Sequence, residues 1–600
     1  MESGSQRSHK LNTTIIPIQL KSVQPKRVEI IQDARLAFCF LLSGFRLLLP
    51  AYCLLLSAFC LLFSQPARAQ DDVVMKAMRD ELDRSMKQLQ LENLEKPYFI
   101  AYHVLDTRVL NASATFGSLL AGNLGHARTL QVEVRVGSYQ LDNSNFFSYP
   151  LTANGLGGAV LLPLDDDYKE LRRQTWLATD AAYKAALETL SRKRAALQNR
   201  TARENIPDFI KEPPVTESEP LGPAQMDLDR AKALVRNLSA LFRQTPAIFN
   251  SSVSLEVNDS RYWYLNSEGT VVTREAPIAR VECVARTQAN DGTPLLNSIV
   301  AYGHSQSDLP AEADLATRIR TMAKGLARLR QAEEVDRYNG PVLFEDRAAA
   351  ELFAQVLAPK LVASRLPVSD NPQVESYLQR NSNRFMDRLG ARVLPSFLSV
   401  TDDPTRSSFQ GTPLLGASAV DDEGVRTRPT TLVDKGILKT LLTTRDPVPG
   451  LLESTGSRRG YGAEPSDLMV SVENGASEKE LKDKLIAMVK QRGLPFGIEV
   501  RSIGNEAYQV YPDGHTEPMR EGMFDGLDDT AFKDMVAASA TSTVYTIPFA
   551  AFGGNLMVNQ AAAPVVSMVV PSMLFEDVTL KPRSAEMEKL PLSKHPFFDK

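Results

Sequence analysis

Residues 340–359 read GPVLFEDRAAAELFAQVLAP: a glycine-proline pair, a short apolar run, an acidic step, then an alanine- and leucine-rich stretch. That order predicts a turn, a buried strand and a helix around Arg347 to Ala363. Pro359 alters or shortens the helix, because proline has no N–H to donate and crowds the preceding turn. Just upstream, Tyr338-Asn339-Gly340-Pro341 is a cluster of turn formers, read as the boundary between two folding units. Downstream, short apolar runs separated by Gly, Pro and Asp (Leu468 to Val472, Ile498 to Ile503, Thr543 to Phe549, Val565 to Val570) predict a mainly β unit over 339–590. Residues 591–600 form a tail.

Residues 70–338 mix the two periodicities. Met75, Met78, Leu82, Met86 and Leu89 recur at steps of three and four from Asp71 onward, the pattern of an amphipathic helix. Further helices are expected from Asp165 to about Asn199, from Met226 to Phe242 and from Ala311 to Glu334. In the first of these, Trp176, Tyr183, Leu187 and Leu190 make the apolar stripe, and Arg192, Lys193 and Arg194 complement the negative end of the helix dipole. Strands are expected at Tyr98 to Leu105, Leu130 to Val136, Ser251 to Val257 and Ile278 to Arg286, with Asn266-Ser267-Glu268-Gly269 as a hairpin turn. The Pro-rich stretch 205–224 reads as a surface loop or linker and not as a core segment. No fixed-period repeat is present. The fold class is therefore α+β, a mixed α/β N-terminal domain followed by a mainly β C-terminal one.

Residues 1–69 form a leader. The apolar run Leu47 to Phe63 follows Arg35 and Arg46 and precedes Ala67-Arg68-Ala69, the order of a secretory signal with cleavage after Ala69. Export to the periplasm or the extracellular space is expected; an uncleaved membrane anchor is the alternative. Of 68 Lys/Arg and 72 Asp/Glu, eight and three lie in this leader, leaving 60 against 69 beyond it. An acidic chain without a dominant basic cluster is unsuited to nucleic acid, whose binding displaces counterions with clustered cations. Only Cys283 lies beyond the leader, so no disulfide framework can form there, and its place in the strand-like run Ile278 to Ala285 marks a buried small hydrophobe.

The chemistry-bearing motifs are few. None of His9, His103, His126, His304, His515 and His595 has a second ligand at helical spacing, so no local metal motif exists and no cofactor is expected. His103 reads as structural and His515, in the turn Asp513-Gly514-His515, as the one weak acid–base candidate. No nucleophile elbow or phosphate-cradling loop appears. Asp421-Asp422-Glu423-Gly424 is either a hard-cation site or a charged turn closed by glycine, and the spacing favours the turn. In Ser454-Thr455-Gly456-Ser457-Arg458-Arg459, the two guanidiniums of Arg458 and Arg459 are candidates to bind a substrate carboxylate or phosphate, with a solvated loop as the alternative.

Taken in order, Gly340 to Glu345, Asp402-Asp403-Pro404, Asp421 to Gly424, Gly436-Ile437-Leu438-Lys439, Ser454 to Arg459 and Arg520-Glu521-Gly522 resemble the C-terminal half of the TldD/PmbA metallopeptidase family. Val134 to Gly137 and the Asn266 to Gly269 turn extend the likeness into the first half. In the catalytic TldD-type members the helix after the opening string carries H-E-x-x-x-H. The resemblance places Ala354, Gln355 and Pro359 at those three positions. Alanine and proline side chains have no lone pair for a metal, and a neutral amide cannot take a proton from water as a carboxylate does. No cysteine follows Cys283 to act as the family's further ligand. The resemblance thus implies the PmbA (TldE-type) side of the family: a pseudoenzyme that pairs with a TldD-type catalytic subunit around a peptide or protein substrate. A stand-alone homo-oligomer that binds peptides and a hydrolase with a rebuilt site are the alternatives.

Overall fold

The computed structural model describes residues 72–147, 158–198, 200, 205–218, 226–380, 382–460, 462–551 and 564–582. The leader with its cleavage point after Ala69, residues 219–224 of the Pro-rich loop and the 591–600 tail lie outside the described residues. The described residues from Val73 onward form one compact unit. It is an α+β fold rich in sheet.

An eight-stranded sheet is built around one long hairpin, Pro97–Thr115 with Ser118–Val136, which turns at Phe116-Gly117. Only its two ends alternate clearly in sequence. Its middle is rich in Asn, Ser, Ala and Gly, poor strand formers on their own. Pairing with Asn250–Asn266 along Ala101 to Ala114 holds that middle extended. Val271–Glu275 and Ile278–Gln288 add to either part of Asn250–Asn266, with Gly269 in the turn at Asn266 to Thr270, and Pro294–Gly303 forms the far edge.

Period-two alternation then decides what covers each face. Ile100, Tyr102 and Val104 pack under the helices Val73–Gln88 and Tyr168–Gln198, while Leu110, Ala112 and Ala114 pack under Leu228–Ala240 and Glu312–Leu329. Each fully buried Leu or Tyr on these stripes contributes about 1.5–3 kcal/mol. Two readings of the long helix need correction. Trp176 is exposed, and the buried stripe runs Leu171, Thr175, Thr179, Tyr183, Ala186, Leu190, Lys193. Lys193 does not decorate the helix end: it is buried and its Nζ meets Asp208 Oδ2 at 2.6 Å.

The second sheet has eleven strands. Its centre is Val565–Lys581, which pairs parallel with Asp467–Val472 and antiparallel with Tyr338–Phe344 and Met535–Pro548. Tyr338 to Pro341, expected as a turn, instead opens the strand Tyr338–Phe344. The reason is a register shift between Gly340 and Val342 that accommodates Pro341 in the ladder. The helix that follows is composite: α-helical over Asp346–Leu352, a wider π turn over Phe353–Leu357 and a tight 3-10 turn over Ala358–Leu361 that contains Pro359.

Candidate functional site

The face of the first sheet opposite its helices carries Phe99, Ala101, His103, Tyr262 and Tyr264, adjacent in register on the strands Pro97–Thr115 and Asn250–Asn266. Phe209, Val215 and Val420 cover these rings. Val420 leads into the turn Asp421 to Gly424, which docks here. Tyr264 donates its hydroxyl to the Glu423 carbonyl (3.0 Å), Tyr262 donates to that of Asp422 (3.4 Å), and His103 Nδ1 lies 2.8 Å from the Tyr262 oxygen. Gly424 has φ +78°, and a Cβ there would stand 2.6 Å from Thr270 Cγ2. Only glycine allows both that backbone and that approach.

The charged turn closed by Gly424 is packed into the protein, and the 454–459 string is not the solvated loop that was its alternative reading. Asp421 and Glu423 are buried. Asp421 Oδ1 accepts the N–H groups of Glu423 and Val425, each at 2.9 Å, and its Oδ2 accepts that of Arg458 at 3.0 Å. Asp422 pairs with Arg274 and accepts the Gly460 N–H at 2.8 Å. Glu423 Oε2 accepts the Arg445 N–H at 2.9 Å. Two strings far apart in sequence, 421–424 and 454–459, therefore form one network. The Ser454 to Ser457 part is buried as well, with Thr455 Oγ1 accepting the Thr443 N–H at 2.8 Å.

Strand Ser118–Val136 brings Glu133 and Arg135 to the same place. Arg135 contacts Glu133 at 2.5 Å, Asp142 at 3.0 Å and Asp446 at 3.1 Å, and its guanidinium lies 3.6 Å from the centre of the Phe209 ring. Arg458 Nη1 stands 3.5 Å from Asp446 Oδ2 and 3.6 Å from Glu423 Oε1, while Arg459 donates to the Pro465 carbonyl at 3.2 Å. Glu133 (31% exposed), Asp422 (26%), Arg458 (24%) and Asp446 (21%) reach water in part although protein surrounds each of them.

The electrostatics follow. Burial pushes the Glu423 carboxyl up to about 8, helped by Asp446 and Asp421 and opposed by Arg458. Burial also raises Asp421, to about 6, against three backbone N–H donors. Burial alone would raise Asp422 and Glu133 too. Arg274 overcomes it at Asp422 and Arg135 at Glu133, so both stay below the usual carboxylate range. Burial keeps His103 neutral by lowering its pKa. Near neutral pH the site can donate one carboxyl proton from Glu423 and accept N–H groups on Glu133.

The other sequence candidates lie elsewhere. His515 sits in an exposed turn, its Nδ1 2.5 Å from Asp513 Oδ1 and its ring stacked on Tyr511. Ala354 is packed into the C-terminal core, Gln355 points outward and Pro359 lies in the 3-10 turn. Sequence reading missed Glu133, Arg135, Asp142, Arg445 and Asp446. A signal existed in Glu133 and Arg135, two charges alternating with Val132, Val134 and Val136, but nothing local named their partners.

Residues 337–582 match the family model described as the PmbA/TldA metallopeptidase C-terminal domain. Residues 337–582 thus carry the C-terminal domain of the TldD/PmbA family. A stretch of 113 residues (18% of this chain, 24% of the relative) is 34% identical to a metalloprotease of Methanocaldococcus jannaschii. A further 176 residues (27% and 36%) are 26% identical to the metalloprotease PmbA homolog of Haemophilus influenzae. The matched stretches thus span about a quarter to a third of those relatives' length. TldE of Thermococcus kodakarensis shares the fold with a TM-score of 0.53 at 15% identity, covering 84% of this chain and all of that one.

Ala354 is buried and Gln355 exposed on a helix that widens into a π turn over Phe353–Leu357, so the two side chains do not share a face. Among the described residues no group of three or more His, Cys, Asp or Glu side chains is placed to hold a metal ion.

Proposed function

We propose that this chain is an exported, non-catalytic partner subunit that shapes the peptide cleft of a TldD-type peptidase. The observation that carries the reading is the donor-free helix at Ala354, Gln355 and Pro359 within the region matched to the family. The polar network around Glu423 and Arg458 supports a binding role. The likeness in fold to a protein named TldE supports a partner role over catalysis. Residues 1–69 support action outside the cytoplasm.

Co-expression with a signal-bearing homologue that carries H-E-x-x-x-H tests this. The two chains are expected to co-purify, the pair to hydrolyse an unfolded peptide and this chain alone to leave it intact. Failure to associate, with the homologue fully active unaided, refutes the partner role; chelator-sensitive hydrolysis by this chain alone refutes the non-catalytic one.

A further inference from the structure

We propose, independently of the peptidase reading, that the open edge of the first sheet at Ser118 to Ala127 pairs antiparallel with the same edge of a second copy of this chain. The two eight-stranded sheets then join into one.

The edge is defined by what the strand Ser118–Val136 lacks on its outer side. Its inner side pairs with Pro97–Thr115 along its whole length. On the outer side, Val160–Leu162 pairs only with Arg128, Thr129 and Leu130. Residues 118–127 therefore present a row of backbone N–H and C=O groups with no ladder partner on that side among the described residues. Such a row is a template for another strand, and proteins blunt it with charged side chains, proline, bulges or short length. Here ten consecutive residues, Ser-Leu-Leu-Ala-Gly-Asn-Leu-Gly-His-Ala, contain no Lys, Arg, Asp, Glu or Pro. The protection present is a register shift, which leaves Leu120 as an extra residue between the pairs Ala114–Leu119 and Ser113–Ala121. Leu120 is 63% exposed and Leu124 58%.

Charge and length decide the occupant. Identical charged edges repel across a two-fold axis, whereas an uncharged edge meets its own copy without that cost. The free stretch is bounded by the turn at Phe116-Gly117 and by Val160–Leu162, so an antiparallel copy is accommodated when the axis passes near Gly122. That register sets Leu120 against Leu124 of the second copy, twice by symmetry, and Gly122 against its own copy. Ala121, Gly122 and Gly125 are small, which leaves the leucines as the main apolar contact. Lys232 lies over Gly122, where an added Cβ would stand 2.6 Å from its Cε, and it is balanced by Asp229 at 3.7 Å. Pairing over residues 118–126 exchanges about eight to ten main-chain hydrogen bonds, the number a typical interface carries.

The test is sedimentation equilibrium of the full chain under reducing conditions, where a dimer is expected at about 10 μM. Leu120→Lys with Leu124→Lys sets like charges across the axis and is expected to weaken the dimer at least about a hundredfold. Leu120→Glu with Leu124→Lys introduces as many charges but sets Glu against Lys of the second copy, so it is expected to stay within about tenfold of the parent. Both leucines are exposed in the single chain, so neither variant removes a core contact. In the parent, amides of residues 118–127 are expected to exchange more slowly as concentration rises. A monomer at about 100 μM, a dimer indifferent to both double substitutions, or equal loss in the two variants overturns the proposal. So does association through this edge with a TldD-type homologue alone, which would give the edge to that partner.

Discussion

Arg445→Met tests how the C-terminal loops are held to the N-terminal hairpins. Arg445 is 1% exposed. Its Nη2 meets Glu268 Oε2 at 2.7 Å in the Asn266 to Gly269 turn, and Nε and Nη2 donate to the Ile210 carbonyl at 2.9 and 2.7 Å. The guanidinium lies 4.0 Å from the centre of the Phe209 ring. Methionine keeps most of the packing volume and removes the charge, leaving Glu268 buried with the Tyr139 hydroxyl as its remaining donor. Breaking a buried pair from one side costs about 3–5 kcal/mol, because the surviving charge has lost its compensation. Adding Glu268→Gln should recover roughly 1.5–3 kcal/mol of that, the coupling expected of two groups in direct contact. Hydrogen exchange of the 205–218 and 443–458 amides reads these segments directly and is the assay. Protection there should fall at least about a hundredfold in Arg445→Met and return in part in the double variant. A single variant within about 0.5 kcal/mol of the parent, or two substitutions that simply add, would refute the reasoning.

Other outcomes follow from the same structure. Asp467 is fully buried, and burial raises it to about 7. The native chain therefore holds a proton that the unfolded chain has released between about pH 4 and 7, and stability falls across that window. Asp467→Asn should raise the thermal midpoint at pH 8 by the equivalent of about 2 kcal/mol and bring no gain at pH 4, where an unchanged difference would contradict the assignment. Gly424→Ala should cost at least about 2 kcal/mol by chemical denaturation and weaken peptide binding, whereas Gly493→Ala, at φ +64° with open space for a Cβ, should cost only about 1 kcal/mol. Writing the motif back, as Ala354→His with Gln355→Glu and Pro359→His, is expected to leave the protein without stoichiometric zinc by elemental analysis; one bound equivalent with chelator-sensitive hydrolysis would show that side-chain identity alone was missing.

Much of this chain was legible where the cause of structure is local. The helix Val73–Gln88 follows from apolar residues three and four apart, and the turn at Asn266 to Gly269 from residues that tolerate tight backbone geometry. The hairpin middle, Leu110 to Asn123, was not legible, since its extended state comes from the neighbouring strand and not from its own side chains. Lys193 shows the same limit: near a helix end it reads as a dipole charge, and only the return of the chain at Asp208 makes it a buried ion pair.

The sequence by itself determined the family likeness and the α+β class, because each is a matter of residue type and short-range order. Only the tertiary structure decided that the 421–424 and 454–459 strings form one site with Glu133, Arg135 and Asp446. Those groups come from segments hundreds of residues apart, and whether a carboxylate is solvated, paired or left without a donor depends on what the fold packs beside it.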